Sequence, residues 1–155
     1  MKTQSVILLE SNAAVLSQLK LALEESEEFS VVHAGDDGDI GIKEILSIKP
    51  DIVIVGMFLK GADGSAVIKT VKKTWSDAKI IAVGISNDSL IEKAMEEGAT
   101  YYLVKPFSIT TAIERIREIA KNKKELEEQK IREAEMMREE TVQEEESERI
   151  LIDNE

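Results

Sequence analysis

The run Ile52-Val53-Ile54-Val55 constrains this chain more than any other stretch. It sets four consecutive β-branched residues between Pro50-Asp51 and Gly56. β-Branched side chains suit a pleated strand, and turn-formers at both ends hold the run to strand length. No polar residue alternates with the apolar ones, so both faces of this strand must be covered. Such a strand belongs in the middle of a parallel sheet, where each strand is joined to the next through a helix. The same argument says where to look for function, because ligands gather just beyond the carboxyl ends of parallel strands. The residue at that place is Gly56, which carries no side chain.

The rest of the chain supplies the partners of that strand. Val6 to Leu9 is a short apolar strand, and Asn12 is placed to cap a helix bearing Val15, Leu16, Leu19 and Leu23 at helical spacing. Phe29 to His33 reads as a second strand and Gly35 to Gly41 as a loop. Ile42, Ile45, Leu46 and Ile48 then mark a second helix, which Pro50 ends. Lys60 to Gly64 is a turn, and Val67, Ile68 and Val71 stripe a third helix that runs to about Trp75. Lys79 to Val83 is the fourth strand; Asn87 or Asp88 opens a helix with Leu90, Ile91, Ala94 and Met95, which Gly98 stops. Thr100 to Val104 is the fifth strand, and Ser108 caps a last helix carrying Ile109, Ala112, Ile113, Ile116 and Ile119. Five alternations with short connections predict an α/β fold, a doubly wound parallel sheet. Right-handed crossovers leave few topologies, of which the flavodoxin-like (βα)5 order 2-1-3-4-5 is the expected one.

Residues 1–120 read as one domain, and at Lys121 the composition changes. From there Glu, Lys, Arg and Gln dominate, without Gly or Pro, so the last helix is expected to continue into an extended charged C-terminal tail, residues 121–155. Glu128–Arg132 and Glu145–Arg149 are favourably oriented pairs on such a helix. Leu126, Ile131, Ala134, Met137 and Val142 fit no heptad well. Three states stay open: a solvated single helix, a coiled coil that would make a homodimer, and disorder at the glutamate-rich end. Ile150-Leu151-Ile152 is a terminal apolar cluster suited to docking on a partner or to preceding a further domain.

Charge narrows the partners. The net charge of -11 argues against direct binding of nucleic acid or of an anionic membrane. The apolar run at Val6 is too short to span a membrane and Glu10 stops it, so a cytoplasmic protein is the default. The chain has no cysteine, hence no thiolate metal site. Its single histidine, His33, leaves no histidine pair for a metal and no catalytic triad, and no enzymatic constellation emerges. Asp36, Asp37 and Asp39 hint at calcium but lack the ligand spacing of a calcium loop, and they read as a solvated acidic loop. Trp75 reads as a packed or half-exposed aromatic, and Met136 and Met137 as scattered exposure on the tail.

Two stretches go further: Pro50 to Val55 followed by Gly61-Ala62-Asp63-Gly64, and Gly98 to Tyr102 followed by Leu103-Val104-Lys105-Pro106-Phe107. With the five-fold alternation, they make residues 5 to 120 resemble the receiver domain of response regulators, the CheY-like domain of two-component signalling that sporulation regulators also carry. The resemblance implies a phosphorylation pocket. In it two acidic residues after the first strand hold Mg²⁺, an aspartate after the third accepts the phosphoryl group, a Thr or Ser after the fourth binds that group, and a lysine after the fifth neutralises it.

Matched residue by residue, the pocket is degenerate. The acidic pair falls on Glu10 and Ser11, the acceptor on Gly56, the hydroxyl on Gly84, and only Lys105 matches cleanly. Lys60 stands where the family usually has proline. Magnesium needs oxygen ligands and phosphoryl transfer needs the carboxylate nucleophile, so both the Mg²⁺ site and the phosphotransfer are expected to be lost. Glu10 is the one carboxylate expected near Lys105, which predicts a Glu10–Lys105 ion pair; a lysine head reaching solvent is the alternative. The resemblance also implies a cis Lys105–Pro106 bond. It places Tyr102 on the family's switch aromatic, which turns inward when the phosphoryl group is bound. Read as a strand residue, Tyr102 would pack its ring and keep its hydroxyl wet. The expected function is that of a pseudo-receiver acting through protein–protein contact, with Tyr102, Phe107 and Ile109 on its interaction surface. Three alternatives stand beside it: the receiver part of a transcription or sporulation regulator whose DNA-binding module lies elsewhere, an atypical receiver using Ser11 or Ser86, and a small-molecule binder using the emptied pocket.

Overall fold

The structure is a computed structural model that describes residues 3–121 and 131–138. The chain divides into two compact units, Met1–Ala120 and Lys121–Glu155. In the first, strand and helix alternate as β1 (Gln4–Leu9), α1 (Ala13–Glu25), β2 (Phe29–Gly35), α2 (Gly38–Ile48), β3 (Ile52–Gly56), α3 (Gly64–Thr74), β4 (Ile80–Ile85), α4 (Asp88–Glu96), β5 (Tyr101–Lys105) and α5 (Ile109–Ala120). The five strands form one parallel sheet in the order β2-β1-β3-β4-β5. The expected sheet and strand order are therefore the observed ones, whereas α5 ends at Ala120 and does not run on through Lys121 as expected. In the second unit, residues 131–138 are helical with Ile131, Met136 and Met137 exposed. The expected pairs Glu128–Arg132 and Glu145–Arg149 and the cluster Ile150-Leu151-Ile152 reach outside the described residues.

Alternation along each strand builds the core twice over, because successive side chains point to opposite faces. Val6, Leu8, Ile52, Ile54, Ile81, Val83 and Leu103 pack on one face with Leu19, Leu23, Ala112 and Ile116 of α1 and α5. Ile7, Leu9, Val53, Val55, Ile80, Ala82 and Tyr102 pack on the other with Ile45, Val67, Ile68, Val71 and Ala94 of α2, α3 and α4. The run that opened the sequence argument is fully buried, as a strand covered on both faces must be. β2 lies at one edge of the sheet, and its register slips against β1. Val31 pairs with Val6 and His33 with Ile7, so Val32 is an extra residue with no partner.

Helix starts follow their caps. Asn12, Asp37, Asp63 and Asn87 accept from the main-chain N–H of Val15, Ile40, Ala66 and Leu90, and Ser108 Oγ accepts from Thr111 N–H at 3.0 Å. One boundary differs from expectation. The stretch Gly35 to Gly41 is not a loop throughout, since α2 begins at Gly38. The two glycines serve close packing instead of a turn. A Cβ on Gly38 would collide with the Ala62 carbonyl, and one on Gly41 with the Leu9 side chain. α2 thus lies tight against β1 and the segment before α3.

α1 ends less comfortably. After the Ser26 cap, Glu27 takes a left-handed backbone with φ 63°, the position where helices favour glycine. Glu27→Gly is expected to raise stability by about 1 kcal/mol, by relieving the steric cost of that conformation. Urea denaturation measures it, and an unchanged midpoint would contradict it.

Candidate functional site

Four strand ends converge on one corner of the molecule. Directly after β1, Glu10 is anchored by its own N–H, which donates to the Gly35 carbonyl at 2.9 Å. Its side chain is only 2% exposed. A buried carboxylate must find partners, because an uncompensated charge there is very costly. One oxygen, Oε2, accepts from Ser11 N–H at 2.9 Å. The other, Oε1, meets the Lys105 ammonium in an ion pair that reaches across from the end of β5. The Lys105 side chain is 26% exposed, so the pair is closed on the glutamate side and partly wet on the other. Of the two possibilities left open for Lys105, the structure shows the pair. The Lys105–Pro106 bond is cis.

Gly56, the last residue of β3, lies directly beneath this carboxylate. A Cβ built on it would stand 2.5 Å from Glu10 Oε2 and 3.3 Å from the Leu9 carbonyl oxygen. The space that a side chain at 56 would take therefore holds the head of Glu10. Gly64 presses from the other side, where a Cβ would collide with the Gly56 carbonyl, and its N–H donates to Met57 O at 3.0 Å. Ser11 and Ser86 are both exposed at the surface.

Gly84, in β4, has a neighbour of the same kind. A Cβ there would collide with the Tyr102 hydroxyl and lie 3.0 Å from Tyr102 Cζ and Met57 Cγ. The Tyr102 ring is turned inward over Gly84, 8% exposed, and its hydroxyl donates to the Ile85 carbonyl at 2.8 Å. Burial pushes its phenol above the ordinary value. The hydroxyl is not left to water alone, as the sequence reading had it, because the absent side chain at 84 lets it donate to the Ile85 main chain. Tyr102 packs under α3 and α4, while Phe107 and Ile109 pack, half-buried, with the α1 and α5 cluster. Large apolar side chains exposed near these strand ends include Ile85 and Val104, with Phe58 in the segment after β3. Met95 was expected on the buried stripe of α4 and is 43% exposed. Its place at the margin of that stripe was the only available signal.

The acidic segment after β2 is held by the protein itself. Asp36 pairs with Lys60 at 3.0 Å and Asp37 caps α2. Lys60 N–H donates to Asp36 O at 2.9 Å, a bond that a proline at position 60 could not make. Among the described residues, no three His, Cys, Asp or Glu side chains group so as to hold a metal ion. No helix of the described residues is long and apolar enough to cross a membrane.

Known proteins can now be set beside this geometry. Residues 6–117 match the family model of the response regulator receiver domain. A probable C4-dicarboxylate response regulator, DctR of Halalkalibacterium halodurans, is 30% identical over 66% of this chain and 45% of its own length. The transcriptional regulatory protein LiaR of Bacillus subtilis is 27% identical over 79% of this chain and 58% of its own. The chain thus spans about half the length of these curated relatives. Among solved structures, the signal receiver domain of the putative response regulator NarL from Mycobacterium tuberculosis superposes with TM-score 0.74 at 20% identity, over 79% of this chain and 100% of that one. The CheX–CheY complex with beryllofluoride and magnesium from Borrelia burgdorferi contains a chain that superposes with TM-score 0.70 at 18% identity, over 77% of this chain and 90% of that one. At such identities the structural matches speak for the fold.

Proposed function

We propose, on the premise that this chain belongs to the response regulator receiver domain family, that it serves two-component-type signalling without being phosphorylated, through contact with other proteins. The observation that carries this reading is the Glu10 carboxylate standing over Gly56 and paired with Lys105. A receiver needs a carboxylate at the end of the third strand that is free to attack a phosphoryl group. Here that volume holds a buried carboxylate with one oxygen hydrogen-bonded to Ser11 N–H and the other in an ion pair with Lys105. Nor do the residues present fit Mg²⁺. Glu10 is spent on Ser11 and Lys105, Ser11 is neutral, and Gly56 offers no side chain.

Acetyl phosphate, or beryllofluoride with Mg²⁺, is expected to leave the amide NMR spectrum and the intact mass unchanged. Shifts clustered at Glu10, Gly56 and Lys105 would overturn the proposal. A mass increase located at Ser11 or Ser86 would favour the atypical receiver instead. A second reading draws on chain length. DctR and LiaR are roughly twice as long as the part matched, which supports reading this chain as the receiver half of a regulator whose DNA-binding module lies outside it. The two readings are compatible, since a filled site can regulate an attached module as well as a separate partner.

A further inference from the structure

We infer that Gly84 holds Tyr102 in a single, inward position, so that the face formed by β4, α4 and β5 is presented in one form whatever happens at Glu10 and Lys105. The inference deepens the unphosphorylated reading above by stating how the output of such a domain would be set. Gly84 does not have a left-handed backbone, so conformation gives no reason for glycine here. Space does. The nearest atoms to a Cβ at this position are the Tyr102 hydroxyl, Tyr102 Cζ and Met57 Cγ. With that volume free, the ring lies among Met57, Ala82 and Ala94, and its hydroxyl takes the Ile85 carbonyl. Turning the ring outward would exchange the Ile85 bond for water, empty a packed space and expose an aromatic surface. Val104, opposite Gly84 in the sheet, and the neighbouring Ile85 stay exposed.

The experiment compares Gly84→Ala in two backgrounds. The chain has two tyrosines, Tyr101 and Tyr102, whose phenols are followed by ¹³Cζ NMR titration. In the wild type, Tyr102 is expected to titrate above the ordinary range. In Gly84→Ala it is expected to return to about 10 as the methyl expels the ring. The melting temperature should fall by at least ~5 °C. The same Gly84→Ala change made in a Tyr102→Ala protein should cost only a small part of that. If Gly84→Ala fails to fold, recovery of folding in the Tyr102→Ala background supports the inference and absence of recovery overturns it. A raised phenol with wild-type melting in Gly84→Ala overturns it, and so does an equal loss in both backgrounds. No readout here uses a phosphoryl analogue. A chain that bound beryllofluoride would refute the proposed function and leave the ring result standing.

Discussion

Lys105→Met is expected to destabilise the protein by about 3 kcal/mol, toward the low end of what breaking a buried ion pair costs. The substitution keeps the length and apolar stem of the side chain and removes its charge. It leaves the Glu10 carboxylate, 2% exposed, with the Ser11 N–H as its remaining partner. Water reaches the lysine side of the pair, which is why the low end applies. A pair on the open surface would cost under ~1 kcal/mol, so urea denaturation at neutral pH separates the two cases. In Glu10→Gln/Lys105→Met most of the loss should be recovered, because the amide can still accept from Ser11 and no charge is left unpaired. A double variant as unstable as Lys105→Met would mean that the lysine stem, not its charge, carries the effect.

The second large effect is predicted at Gly56. Gly56→Asp writes a carboxylate into the place that the family resemblance assigns to the phosphoryl acceptor, and restoration of phosphorylation is the naive expectation. The geometry predicts the opposite: a loss of about 3 kcal/mol, from overpacking and from two carboxylates sharing one lysine. The new Cβ alone would stand 2.5 Å from Glu10 Oε2. Intact mass after acetyl phosphate and Mg²⁺ should show no adduct. Adding Glu10→Gln should recover the part of the loss due to like charge. A stable Gly56→Asp protein that takes up phosphate would sink the view that Glu10 is fixed over β3.

How much of this was legible in the sequence differs from residue to residue. The β-branched run at 52–55 declared a doubly covered strand because burial on both faces leaves a mark on every position. The caps at Asn12, Asn87 and Ser108 were readable because a capping side chain acts within three residues of itself. The meeting of Glu10 and Lys105 was legible as one of two possibilities, since both leave strands at the same end of the sheet, and only the structure chose between the pair and a solvated lysine. Gly38 and Gly41 misled, because a glycine kept for close packing looks in sequence like one kept for a turn. Only Ala62 and Leu9, distant in the chain, tell the two apart. The Tyr102 hydroxyl misled for a related reason, as its partner is a main-chain carbonyl that no residue type announces. Met95 shows the limit of periodicity, which finds the stripe on a helix but not its margin.

The slipped register at Val32 bears on how this protein survives at high concentration. An outermost strand with an even row of free N–H and C=O groups is a template onto which another chain can add and then seed fibres. On β2 that row is interrupted by Val32, which has no partner in β1 and twists the margin of the sheet. A growing stack would lose its repeat at that point. The irregularity is therefore expected to disfavour templated addition on the β2 side, and a variant lacking Val32 should form fibres sooner in a thioflavin assay.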